Sequence, residues 1–146
     1  MLTRFLGPLA VCLAAGTTSA QTPISGPLSD ATTGPLLAGT VYHATTSLSV
    51  SPGATLTIQP GVIVKFVGQG STFEVFGTLL CQGTTPSPVI FTDLADDSAG
   101  GDTNGDGMSS GTPGHWTYMR FYATANASVL DHTEVRYAGY GTWGGI

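Results

Sequence analysis

Apolar and polar positions alternate in short runs from residue 41 onward, and turn residues separate the runs. Leu48-Ser-Val50 ends at a Ser-Pro-Gly turn, Leu56-Thr-Ile58 ends at Gln-Pro-Gly, and Val64-Lys-Phe66 follows. Each run has period 2 and covers only a few residues, which is typical of β-strands. The pattern therefore predicts an all-β chain without a convincing helix.

The runs also repeat. A shift of 25 residues takes Leu48-Ser-Val50 to Phe73-Glu-Val75 and takes Val64-Lys-Phe66 to Val89-Ile-Phe91. A third copy begins at Met119-Arg-Phe121, 46 residues beyond the second, which leaves room for one inserted loop. Three short strands per copy, stacked copy on copy, predict a right-handed parallel β-helix, a solenoid of about three rungs with an acidic loop insertion.

Stacking places equivalent residues next to one another, about 4.8 Å apart in the hydrogen-bonding direction. Inside the solenoid, one predicted column of side chains contains Phe66, Phe91 and Tyr137. On the outside, Glu74 is expected beside Arg120 as an exposed ion pair, worth about 0–1 kcal/mol.

The first twenty residues have the composition of a secretory signal peptide. A positive charge at Arg4 precedes an apolar stretch, and small residues lead to Ala20. The apolar stretch is too short to serve as a permanent membrane anchor. A lipoprotein signal that uses Cys12 is the less favoured alternative, because Val11 is larger than the residue that such signals prefer. We therefore expect a secreted or cell-surface protein.

The rest of the chain divides into two parts. Residues 21–40 are rich in Pro, Gly, Ser and Thr and are predicted to form a linker or an N-terminal capping arm. Residues 41–146 form the predicted β-helix, with the insertion at about 93–115. The sequence stops at 141–146, where another rung would begin without a polar cap, so we expect the amino-terminal fragment of a longer protein or a piece that pairs with another chain.

Composition and charge limit the classes of structure and of binding partner that the chain can have. Only 9% of the residues are charged and 41% are hydrophobic, which fits a β-structure with a Ser- and Thr-rich surface. The formal net charge of −5 argues against a nucleic-acid partner, because binding phosphates needs a basic face. Beyond the predicted signal peptide Cys81 is the single cysteine, so an internal disulfide is excluded and a small buried side chain is expected.

Several phrases of the sequence resemble bacterial right-handed parallel β-helix repeat proteins. These phrases, within a similarity that covers most of Val41 to Gly139, are Gly53-Ala-Thr-Leu-Thr-Ile-Gln-Pro-Gly61, Gly77-Thr-Leu79, Gln82-Gly-Thr84, Pro88-Val-Ile-Phe-Thr92 and Val135-Arg-Tyr-Ala-Gly139. The resemblance implies the fold, export and membership of a group of large secreted or surface proteins. It brings no catalytic residues with it.

The inserted loop contains a candidate calcium site. Asp102, Asn104 and Asp106 place oxygen side chains at positions 1, 3 and 5, with glycine at position 6, as in the first half of an EF-hand loop. Position 12 is Pro113 instead of glutamate, so a neighbouring aspartate such as Asp97, or backbone carbonyls, would complete the site. A bound ion is expected to order the loop. The alternative is a solvated loop whose short polar side chains only make turns.

The histidines are predicted to be structural. His43, His115 and His132 lie in different segments without the spacing of metal ligands. Asp131 and His132 are neighbours on a predicted strand, so their side chains are expected on opposite faces and not as a pair.

Two classes of function stay open. The first is an exported non-catalytic module that presents loops for binding or adhesion to a carbohydrate or another cell-surface partner. Aromatic side chains such as Tyr118 and Tyr122 would suit stacking on sugar rings. The second is a carbohydrate-active enzyme, a polysaccharide lyase or a glycoside hydrolase, whose active rungs lie beyond this fragment.

The enzyme alternative finds few candidate groups in the sequence. A lyase base would have to come from Lys65, Arg120 or Arg136, and Lys65 and Arg136 are predicted in one outward column with Ile90 between them. A glycosidase needs two carboxylates about 5–9.5 Å apart across a cleft, and the Gly-rich context after Asp93 gives no rigid support for such a pair. The sequence therefore favours the non-catalytic module.

Overall fold

The alternating runs form strands in the computed structural model, which describes residues 21–141. Ten strands follow one another: β1 (Thr22–Pro27), β2 (Val41–Val50), β3 (Thr55–Ile58), β4 (Ile63–Phe66), β5 (Thr72–Val75), β6 (Thr78–Gln82), β7 (Val89–Asp93), β8 (Tyr118–Phe121), β9 (Val129–Asp131) and β10 (Thr133–Val135). One 3-10 turn at Ala123–Ala125 is the only helical element within 21–141. The predicted signal peptide, including Cys12, lies outside the described residues.

The chain is all-β, and its parallel strands form a curled sheet. Seven strands belong to this sheet in the order β10-β7-β4-β2-β5-β8, with β1 also paired to β2, and a second sheet has the order β3-β6-β9. β2 is long and pairs with two strands: Val41–Ala44 pair with β4, and Leu48–Val50 pair with β5.

The register confirms two of the predicted sets of matched runs. Leu48 lies beside Phe73, and Phe73 in turn lies beside Met119, as the shifts of 25 and 46 residues predict. Leu56 lies beside Leu79 in the smaller sheet, and Glu74 lies beside its expected neighbour Arg120. Inward residues of these strands are buried and outward residues are not.

The predicted register of the third run is wrong by two residues. Val64 pairs with Phe91, where the repeat had placed Val89, and Phe91 in turn pairs with Val135. Phe66 consequently lies beside Asp93. A slip of two residues leaves every side chain on its own face of the strand, so the alternating pattern carries no information that would reveal it.

Tyr137 does not join the inward column that was predicted for it. It follows β10 in a left-handed conformation with φ of 58° and is only partly buried. Its ring packs where a side chain at Gly111 would otherwise sit. Tyr137 therefore holds the end of the inserted loop and does not fill the core.

Large apolar side chains fill the space inside the curled sheet. Phe66 stacks on Trp116 with ring centroids 4.2 Å apart, and Phe73 meets Phe91 at 5.7 Å. Cys81 is buried among them, and desolvation raises the pKa of its thiol to about 12. The buried, protonated thiol is the small core side chain that the sequence predicted.

Residues 21–40 pack against β2 and β3, the first strands of the two sheets. β1 runs parallel to β2, and Leu28 and Leu36 are buried in the core. The Asp30 carboxylate accepts hydrogen bonds of 2.7 Å from both the amide and the hydroxyl of Thr57. This segment therefore covers one edge of the sheet.

A substitution at Gly77 tests how closely the chain at this residue approaches the backbone of Ser51 and Ala54. A Cβ at this position would clash with the carbonyl oxygens of Ser51 and Ala54, which are backbone atoms and cannot rotate away. We expect Gly77→Ala to lower the free energy of unfolding by about 3 kcal/mol, measured by urea denaturation. The control Gly68→Ala meets only the Ser71 hydroxyl and should cost less than 1 kcal/mol, on the order of ordinary surface substitutions. Equal losses in the two variants would contradict the packing described here.

Candidate functional site

The connection between β7 and β8 folds over the outward face of the sheet. Lys65 on β4 and Thr92 on β7 point away from the core, yet both are fully buried. All five residues of β7 are buried, so this strand is covered on both faces. The acidic loop, residues 94–117, supplies the second cover.

Two buried aspartates hold the base of the acidic loop. Asp93 accepts a 2.7 Å hydrogen bond from the Thr112 amide, which ties the far end of the loop to β7. Asp96 accepts hydrogen bonds from Thr92 Oγ1 at 2.6 Å and from Arg136 NH1 at 3.3 Å. Burial acts to raise the pKa of Asp96, but hydrogen bonds from Ser98, Thr92 and Arg136 outweigh it and hold the pKa below the usual value.

A buried cation lies under the same loop. Lys65 Nζ donates a 2.8 Å hydrogen bond to the carbonyl oxygen of Gly101, next to the first residue of the predicted calcium loop. Desolvation lowers the pKa of Lys65, and the charges of nearby aspartates, Asp97 first among them, act in the opposite direction. The expectation of Ile90 between Lys65 and Arg136 is wrong, since Lys65 pairs with Thr92.

Three of the four predicted ion ligands converge at the tip of the acidic loop. Asp97, Asp102 and Asp106 each offer a carboxylate oxygen, and these oxygens lie within 4.8 Å of one another. Asp102 accepts hydrogen bonds from the amides of Gly105 at 2.6 Å and Gly107 at 3.0 Å, and these amides lower its pKa. The Asp102 carboxylate is therefore stabilised in its charged form, and the Asp97 and Asp106 carboxylates lie close to it.

The fourth predicted ligand, Asn104, is tied into the same cluster. Its Nδ2 donates a 2.8 Å hydrogen bond to Asp106 Oδ2, and its Oδ1 accepts a 3.4 Å hydrogen bond from the Asp106 amide. In this arrangement Asn104 positions Asp106. Its carboxamide oxygen is the atom that would serve as a ligand.

Ser109 was missed by the sequence reasoning. Its hydroxyl lies 2.9 Å from the Ala95 carbonyl oxygen, 3.1 Å from Asp106 Oδ1 and 3.3 Å from Asp97 Oδ2. Asp97 Oδ1 is buried and has no hydrogen-bond partner in the described part of the chain. Ser109 is outside the alternating 1-3-5 spacing, so only the folded loop reveals its place between the carboxylates.

The histidines occupy three unrelated environments. Burial and then the charge of Lys65 lower the pKa of His43, and His115 Nε2 lies 3.4 Å from Asp93 Oδ1. His132 Nδ1 lies 2.6 Å from Asp131 Oδ1, which corrects the expectation that these neighbours would not pair. The φ of His132 is 40°, so it leaves the strand geometry on which that expectation rested.

Comparisons with protein-family models, with curated proteins and with solved structures find no match for this chain. Within residues 21–141 no helix is long and apolar enough to cross a membrane. The site is therefore interpreted from its own geometry.

A substitution at Arg136 tests whether charge interactions at the base of the acidic loop contribute to the stability of the fold. Arg136→Gln removes the cationic partner of buried Asp96, and we expect a loss of about 1–3 kcal/mol in the free energy of unfolding at pH 7. Asp96 has a depressed pKa in the folded chain, so its contribution is present above the unfolded pKa of about 4 and disappears as the pH falls through the folded value. The difference between the two proteins should therefore be constant from pH 7 to about 5 and shrink below about pH 4.

Urea denaturation at several pH values measures this difference. Arg120→Gln, on a part of the sheet that the loop does not cover, serves as the control with the same change in charge. A loss for Arg136→Gln that is as large at pH 3 as at pH 7 would contradict the role given to Asp96.

Proposed function

We propose that this chain is an exported right-handed parallel β-helix, a non-catalytic module that binds a carbohydrate or another cell-surface partner. The order of strand pairing supports the solenoid. Successive strands take three positions in turn, because β5 stacks on β2, β6 on β3 and β7 on β4, and the next three strands repeat this order. A right-handed winding follows from the strong preference of parallel crossover connections.

The acidic loop is the part of this module that we propose to bind an ion, and calcium is the proposed cofactor. The observation that carries this proposal is the convergence of the Asp97, Asp102 and Asp106 carboxylates. Calcium takes six to eight oxygen ligands at about 2.3–2.6 Å and tolerates flexible geometry. The Ser109 hydroxyl contacts Asp97 and Asp106 and would add a neutral oxygen, and the Ala95 carbonyl oxygen lies 2.9 Å from that hydroxyl.

The proposed ion orders the loop and takes no part in a reaction. The basic groups that a lyase could use are engaged in the described structure: Lys65 is buried under Gly101, and Arg136 Nη2 lies 2.5 Å from Glu134 Oε2. The third, Arg120, lies over the rings of Tyr118 and Tyr122. Asp93 and Asp96 are each 1% exposed and bonded within the loop, so they do not face each other across a cleft. These contacts favour the binding module over the enzyme.

Titration with Ca²⁺ after removal of metals with EGTA tests the proposal. We expect one ion per chain by isothermal titration calorimetry and a higher unfolding temperature in its presence. Asp102→Asn keeps an acceptor for the Gly105 amide but removes a charge, and it should weaken binding at least tenfold, which corresponds to about 1.4 kcal/mol. The control Asp131→Asn makes the same change in net charge on β9 and should bind like the wild type. No heat of binding, or equal binding by both variants, would contradict the ion site.

Lys65 provides a second test with the opposite sign. Its ammonium group interacts with Asp97 and Asp102 and so opposes a second cation at the loop. We expect Lys65→Met to bind Ca²⁺ a few fold more tightly, because removal of a nearby like charge favours the ion. Circular dichroism first establishes that the variant is folded. Weaker calcium binding by a folded Lys65→Met would show that Lys65 supports the site instead of competing with the ion.

A further inference from the structure

A second outward face of the curled sheet stays open to solvent. It is formed by β5 and β8, whereas the acidic loop covers β4 and β7. Its side chains are partly exposed, in contrast to the buried outward residues of β4 and β7. We call this surface the aromatic face, and it comprises Glu74, Phe76, Tyr118, Arg120 and Tyr122.

The aromatic face is held together by ring and charge contacts. Phe76 stacks on Tyr122 with centroids 4.0 Å apart and an interplanar angle of 17°. The Arg120 guanidinium lies 4.6 Å from the centroid of Tyr118 and 5.9 Å from that of Tyr122. The Tyr122 hydroxyl donates a 2.9 Å hydrogen bond to Glu74 Oε1. These contacts hold the rings in one arrangement on a rigid pair of strands, so little rotamer freedom is left to lose on binding.

The chemistry of the aromatic face matches a neutral ligand with hydroxyl groups. One cation, Arg120, lies directly beside one anion, Glu74, so the face carries no net charge. Arg120 offers several donors and Glu74 offers acceptors, while the face of the Tyr118 ring opposite Arg120 offers an apolar surface for C–H groups. A sugar ring combines hydroxyl groups around its edge with C–H groups on its faces. Anionic ligands gain little here, because Glu74 offsets the attraction of Arg120.

Two other classes of partner fit this surface less well. β5 lies between β2 and β8 and is paired on both sides, so an extended peptide could add as a further strand only at the outer edge of β8, where it would lie beside the aromatic face and not over its rings. Nucleic acid would need a basic face, and the chain has a net charge of −5.

We propose that the aromatic face binds a neutral glycan chain, with the Tyr118 ring face opposite Arg120 as the stacking platform and with Arg120 and Glu74 hydrogen-bonded to sugar hydroxyls. This inference rests on the proposed function only in so far as the chain is a binding module. It does not depend on the calcium site, because none of the five residues of the aromatic face belongs to the acidic loop.

The test uses the full chain labelled with ¹⁵N and the neutral hexasaccharides of β-1,4-linked glucose, xylose and mannose as probes. We expect at least one of them to shift the backbone amide signals of residues 72–76 and 118–122. Tyr118→Ala should weaken that binding about three- to tenfold, the range expected for the loss of one stacked ring. Tyr140→Ala removes an exposed ring outside the aromatic face and should have no effect. Arg120→Gln, which keeps a polar side chain but removes the charge and the guanidinium donors, should also weaken binding and provides a second variant if Tyr118→Ala proves unfolded.

Each titration is performed both with 1 mM Ca²⁺ and with EGTA. Glycan binding under both conditions supports the aromatic face even if the loop binds no ion. The proposal is overturned if no neutral hexasaccharide binds, if the shifted signals lie elsewhere, or if only anionic oligogalacturonate binds. Equal weakening by Tyr118→Ala and Tyr140→Ala would also overturn it, because the aromatic face would then have no special role.

Discussion

Parallel strands buried on one face must satisfy their backbone N–H and C=O groups through neighbouring strands, because the interior offers no water. Each added strand therefore has to adopt the register of the one before it. Here β2 supplies that register twice, to β4 through its first half and to β5 through its second half. The positions of the inward aromatic rings, of the outward charges and of the acidic loop all follow from these two pairings.

The acidic loop depends on this register in a direct way. Lys65 and Thr92 are neighbours across β4 and β7, and both reach the loop from below, Lys65 through Gly101 and Thr92 through Asp96. Had the register followed the repeat as predicted, Lys65 would lie beside Ile90, and no hydroxyl would be placed next to the lysine. The shift of two residues in the register therefore places the Thr92 side chain next to that of Lys65 beneath the acidic loop.

The sequence predicted the strands well because alternation and turn residues are local signals. The pairing of Leu48 with Phe73 could be derived from the repeat, since the turns between these strands preserve the spacing. The pairing of Val64 with Phe91 could not, because a slip of two residues keeps the same side of each strand toward the core. Burial of Lys65 was equally hidden, since it results from a long-range cover and not from the strand pattern.

In the candidate site, too, some contacts could be predicted from the sequence and others could not. The spacing of Asp102, Asn104 and Asp106 indicated their proximity because the three lie within one tight loop. Ser109 depends on how that loop closes, and the pair formed by Asp131 and His132 depends on a left-handed residue that alternation does not predict. The spacing of residues in the sequence therefore predicts which side chains meet within one short loop. Contacts that depend on how the loop closes, or on the backbone conformation of one residue, can be read only from the folded structure.

Charge compensation explains why the tip of the loop, and not its base, is suited to an added cation. At the base, Asp96 has Arg136 and Thr92 as partners, and Asp93 has the Thr112 amide. At the tip, Asp102 receives hydrogen bonds only from backbone amides, which orient a carboxylate without cancelling its charge. Mutual repulsion among closely spaced carboxylates then opposes closure of the loop unless a cation offsets it. The hydrogen bond of the Lys65 ammonium goes to the Gly101 carbonyl oxygen and not to a carboxylate, so the carboxylate oxygens of the tip stay available to the divalent ion proposed above.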